Sequence, residues 1–99
     1  MTQADVQEIL VERGKTHGPF DVHARITQEL KGVMVNSPNW AGMSYAQKES
    51  LEMVAHKIGR ILSGNPDHLD HWDDMAGYST LVGNALRKAS SFVGMKEVA

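Results

Sequence analysis

Four stretches of apolar residues at helical spacing, each closed by a Gly-, Pro- or Asn-containing break, run through the 99 residues of this chain. No segment keeps the period-2 alternation of a half-buried strand, so no sheet is expected. In the first stretch Val6, Ile9 and Leu10 stand at i, i+3, i+4, in a helix expected from near Thr2 to Gly14. The segment "GKTHGP" then breaks the chain, because Gly14, Gly18 and Pro19 are all unsuited to a helix interior. The second helix is expected to start at Asp21 as N-cap. It carries Val22, Ile26, Leu30, Val33 and Met34 on one stripe before the break "NSPNWAGM". The third has the clearest start: Ser44 and Gln47 have capping-box spacing, in which each side chain satisfies a free backbone N–H. Leu51, Val54, Ile58, Ile61 and Leu62 form its expected buried face. It is expected to stop at "SGNP", with Gly64 as a left-handed C-cap and Pro66 barring continuation. The fourth begins within "DHLDHWDD" (67–74). Met75, Val82, Leu86, Ala89 and Val93 share one side of it, and Tyr78, Leu81, Ala85 and Phe92 widen the stripe. Gly77 and Gly83 each cost this helix about 1 kcal/mol relative to Ala; close approach of another helix or a ligand would justify them.

The expected fold is all-α, a small antiparallel bundle of about four helices forming one domain over residues 1–94, with a frayed tail at 95–99. A chain this short has one modest core. Stripes on so few helices leave apolar surface to cover, so a homo-oligomer is expected; the six methionines suit an adaptable apolar surface. A formal net charge of -2 argues against a broad grip on extended nucleic acid but leaves room for a local nucleotide pocket. The lack of cysteine removes disulfides, thiolate zinc sites and a cysteine nucleophile. No run approaches the roughly 20 apolar residues needed to span a bilayer, and the N-terminus lacks the basic-then-apolar layout of a signal peptide. The expected setting is the cytoplasm, with no membrane partner.

The densest chemistry lies in "DHLDHWDD", with four aspartates and two histidines in eight residues. Asp70 and Asp73 are three apart, as are His71 and Asp74, so each pair shares a helix face. In the third helix Glu49 and Glu52 are also three apart, and His56 follows Glu52 by four. If the third and fourth helices form a hairpin, Asp74 and Tyr78 face His56 and Glu52, while Asp70 lies nearer Arg60 than Glu49. Carboxylates gathered from two helices repel unless a cation binds them, and an all-oxygen set suits Mg²⁺ or Mn²⁺ bridging to substrate phosphates. The expected metal ligands are Glu49, Glu52, Asp70, Asp73 and Asp74. Glu52, His56 and His71 are the candidate catalytic groups, the histidines as a further ligand or a water-orienting base. Lys57 and Arg60 are placed to offset charge on a leaving pyrophosphate. Lys15 and His17 are loose phosphate donors, and Trp72 and Tyr78 are surfaces for a base. Each residue also has a plainer reading: Glu52 and His56 as an ordinary helix pair, the aspartates as complements to a helix dipole. The triplet "GKT" at 14–16 is not a P-loop, since that pattern requires glycine where Ile9 stands and a strand before it.

The arrangement Glu49-x-x-Glu52 followed by Asp70-x-x-Asp73 resembles the signature of the all-α nucleotide pyrophosphohydrolases of the MazG type. In a second register Asp74 precedes Tyr78 as in that family, with His71 in the place of the family's Glu. The resemblance implies Mg²⁺-dependent cleavage of a nucleoside triphosphate to monophosphate and pyrophosphate. The segments "RGKTHGPFDVHARI" and "LEMVAHKIGRILSGNPDHLDHWDDMAGYSTL" also look like a small phage- and prophage-borne domain family of uncharacterised function, which implies a viral or prophage origin and the bacterial host cell as the setting. The leading expectation is therefore a MazG-like nucleotide hydrolase. The alternatives are a non-catalytic nucleotide-binding protein that sequesters a signal, and a helical protein-interaction module.

Overall fold

The computed structural model describes residues 2–98, with side chains through residue 91. The expected packing of Phe92 and Val93 and the end of the 95–99 tail fall outside that description. The described residues hold no strand. They form α1 (Gln3–His17), α2 (Phe20–Val35), α3 (Tyr45–Ser63) and α4 (Leu69–Val98), with a short 3-10 turn at Trp40–Gly42 before α3. The fold is all-helical, as the periodicity requires. No helix among the described residues is long and apolar enough to cross a membrane.

Local chemistry explains the ends. Thr2 and Asp5 form a reciprocal capping box on α1, and Ser44 and Gln47 form the expected one on α3. Three boundaries differ from expectation. α1 continues through Gly14 to His17, because Gly14 accepts a hydrogen bond from Gly18 N–H and a tertiary partner, Asn65 N–H, satisfies the free carbonyl of Thr16. α2 starts at Phe20 with Pro19 as N-cap, so Asp21 lies in the first turn instead of capping it. Gly64 caps α3 at φ -116°, not in the left-handed region. Its glycine is needed for space: a Cβ there would strike Thr16 O, the His17 carbonyl carbon and Gly18 N. Gly18, at φ +77°, is pressed in turn against the backbone of Ser63. The α1–α2 elbow and the α3–α4 turn thus meet backbone to backbone, and Ser63 Oγ–H donates to His17 O at 2.9 Å.

α3 is the central helix. It packs against α1, α2 and α4, while α2 and α4 hardly meet each other. Toward α4 it presents Ser50, whose hydroxyl donates to Tyr78 O at 2.9 Å, and Lys57, which pairs with Asp74 at 2.8 Å. Toward α2 it presents Gly59, against which Thr27 Oγ1 and His23 O leave no room for a Cβ. The buried residues of α3 are therefore Ser50, Ala55, Lys57 and Gly59. This overturns the expected buried face: Leu51 and Leu62 are exposed, and Val54, Ile58 and Ile61 are half-buried. The apolar stripe falls between the two helices that flank α3, and they cover it only in part.

The Lys57–Asp74 pair makes a testable asymmetry. Lys57 is buried and Asp74 is half-exposed. Asp74→Asn leaves the ammonium without its counter-charge and is expected to destabilise the fold. Lys57→Met removes the buried charge itself and is expected to cost less. Urea denaturation of both variants checks the order; equal losses would show that the ion pair carries no weight.

Candidate functional site

The Gly18–Pro19 elbow turns α2 back beside the last turn of α1, and the angle between them opens over the end of α3. A cavity of about 730 Å³ lies there. Arg13 and His17 reach it from α1, Phe20 and His23 from α2, and Arg60 from α3, with Leu10 and Pro19 as apolar wall. No acidic side chain is among the residues that line it. His17 stands edge-on to His23 with ring centres 6.4 Å apart, and Phe20 edge-on to His23 at 5.2 Å. Behind this wall His71 is buried, 2% exposed, with its ring centre 5.2 Å from that of His17. Its Nε2–H donates to Thr16 O at 3.0 Å, since a carbonyl oxygen can only accept. Arg60 Nε is also buried, with no hydrogen-bond partner among the described residues.

The field in this pocket is positive. Burial first, then Arg60, His71, Lys57 and His23, push the His17 pKa down to about 4. Burial and Arg60 also lower His23, against a smaller opposing pull from Asp21. On the neighbouring face of α3, burial, Lys31 and Arg60 lower His56 despite Glu52. Arg60 thus discourages three histidines from protonating. All three bind protons less readily in the folded chain than in the unfolded one. Stability should therefore decline as pH falls below the ordinary histidine value of 6.5, and the His17 contribution should be fully lost near pH 4. Added phosphate, by neutralising the pocket, should shrink the decline. Thermal denaturation between pH 7 and pH 4.5, with and without phosphate, reads this; a flat profile contradicts it.

Of the residues expected from sequence, His17 and Arg60 line the pocket. His56 lies beside it. His71 lies beneath it as a tie between α4 and α1. Lys57 lies deeper and is held by Asp74. Lys15 is exposed and pairs with Glu12 at 2.9 Å. Trp72 is turned elsewhere, its indole N–H donating to Pro66 O at 2.8 Å, and Tyr78 meets Ser50 through its backbone. The carboxylates are dispersed. With Ser50 opposite Tyr78, Glu49 is level with residue 79, about nine residues or roughly 13 Å along the axis from Asp70. Glu49, Asp70 and Asp73 are exposed and Glu52 is half-buried. Asp70 has His68 at 3.7 Å. Among the described residues no group of three or more His, Asp or Glu side chains is arranged to hold a metal ion. Three pocket residues were not anticipated: Arg13, Phe20 and His23. The signal available for them was two cations and two histidines packed around one Gly-Pro break, in "RGKTHGPFDVH".

A family model described as "Domain of unknown function (DUF6378)" matches residues 1–86, which include every residue of this pocket. No curated protein and no solved structure matches the chain.

Proposed function

The chain belongs to the DUF6378 family, a domain of unknown function, and we propose that this member binds a phosphorylated small molecule of nucleotide size in the pocket between α1, α2 and α3. The observation that carries the proposal is Arg60. A buried guanidinium nitrogen without a partner is costly unless an acceptor completes it, and this one sits in an acid-free pocket with Arg13. A phosphate is the acceptor whose charge and geometry match an arginine fork. The cavity volume lies within the range usual for small-ligand sites, and Phe20 at the rim offers an aromatic face to a base. On this reading the histidines bind as neutral donors and take up protons once an anion is present.

Capture of the ligand is favoured over its hydrolysis, because the pocket lining carries no carboxylate to hold a metal or activate water. Metal-dependent hydrolysis of the MazG type is the alternative proposal. It requires Glu49, Glu52 and Asp74 to gather on Mg²⁺ or Mn²⁺. Titration calorimetry with ATP, repeated with inorganic pyrophosphate as competitor and with Mg²⁺, tests both. Saturable binding relieved by pyrophosphate, with ATP recovered intact, is expected. Pyrophosphate release abolished by Glu52→Gln would replace capture with hydrolysis. The absence of any heat or turnover would leave the third reading, a helical protein-interaction module.

A further inference from the structure

We propose that a second copy of this chain covers the face of α2, α3 and α4 that lies opposite the basic pocket, making the protein a homodimer through that face. The placement follows from helical spacing. On α3, Ser50 and Lys57 point to α4 and Gly59 to α2; Leu51, Ile58 and Leu62 fall between these directions on one side, and Arg60 falls on the other. On α2, Thr27 points to α3, and Val33, about 120° around from it, falls on the flank of Leu51 and Leu62. On α4, Trp72 and Leu86 fall on that same flank; Met43, Leu51 and Val82 line a shallow groove there. The face runs across three helices and none of these positions carries a charge.

What sets it apart from the other exposed apolar residues is that its members adjoin one another across three helices. Val33 is 69% exposed, Leu62 66%, Leu86 55% and Trp72 48%, whereas the buried apolar side chains of the described residues reduce to Ala55. A single-chain protein of this mass, 10.9 kDa, is expected to expose about 5,600 Å². This chain exposes 7209 Å². Part of the excess of about 1,600 Å² belongs to the uncovered α1, and the remainder is of the order of the roughly 1,000 Å² or more that each copy contributes to an obligate homodimer. The shape agrees. The radius of gyration is 17.8 Å, against about 13 Å for a compact chain of this length. A second copy is the fitting occupant because a two-fold axis sets this face against itself, and an uncharged apolar face meets its own image without placing like charges together.

The full chain is expected to sediment with twice the mass of 10.9 kDa. Its melting temperature should rise with protein concentration, because association stabilises the folded form by mass action. Leu51→Glu and Leu62→Glu are expected to abolish the dimer at micromolar concentration. Leu81→Glu, an equally exposed leucine on the opposite flank of α4, is expected to keep it. The concentration dependence of the unmodified chain is informative even where a variant unfolds. A folded chain of monomer mass with a concentration-independent melting temperature overturns the proposal. So does a dimer that survives both Leu51→Glu and Leu62→Glu.

Discussion

Gly18→Ala is expected to cost the fold about 3–5 kcal/mol, enough to threaten a domain whose total stability is of order 5–15 kcal/mol. Two separate penalties combine. Gly18 sits at φ +77° and ψ -179°, a backbone state essentially restricted to glycine. A Cβ at that position would also meet the carbonyl of Ser63 and the Ser63 hydroxyl. Two of these three atoms are backbone, so rotating a side chain cannot relieve the overlap. The melting temperature should fall by about 15–30 °C. Gly14→Ala is the matched control. Gly14 lies four residues earlier inside α1 with nothing within 4 Å of its missing Cβ, and alanine there should stabilise by about 0.4–1 kcal/mol. Thermal melts of the two variants, followed by far-ultraviolet circular dichroism, decide the matter. If Gly18→Ala melts like the unmodified protein, the clasp between the elbow and the α3–α4 turn does not exist as described.

Arg60→Gln is expected to weaken nucleotide binding by about 10- to 150-fold, the worth of a hydrogen bond to a charged group at roughly 1.5–3 kcal/mol. Arg60→Lys should recover only part of this, because an ammonium keeps the charge and loses the planar fork. A second readout needs no ligand. Arg60 is among the groups that hold down His17, His23 and His56. Arg60→Gln should move all three titrations upward together, visible in histidine C–H resonances across pH. Histidine titrations that move while affinity stays constant would separate the field of Arg60 from any role in binding and would remove the basis for the proposed site. Titrations that do not move would contradict the pocket geometry itself.

The fold class was legible because it rests on periodicity, and the capping box at Ser44 and Gln47 located the start of α3 to the residue. Burial was not legible. The stripe Leu51–Ile58–Leu62 reads as a core face by its spacing alone, yet α2 and α4 dock on either side of it, onto Gly59 and Ser50. Spacing gives the apolar side of a helix but not the direction from which its neighbours come. The same limit applied to the site. Arg60 and His17 were visible as polar groups at a helix end and a break. The carboxylates were grouped by their spacing within each helix, and the register between helices then spread them apart. Gly18 and Gly64 were visible as helix breakers. Their closer reason, two backbones touching across 46 residues of chain, is tertiary and leaves no local mark.

The clasp at Gly18 also settles how α1 is held. Its fastenings, at Thr16 O, His17 O and Gly18, all lie in its last turn, and none of its residues is buried. The helix is thus a lever fixed at one end, with its pivot at the rim of the basic pocket. A swing of about ten degrees about that pivot would displace Gln3, roughly 20 Å along the axis, by about 3–4 Å but Arg13 by only about 1 Å. Arg13, one turn from the pivot, would therefore keep its place in the pocket lining through such a swing.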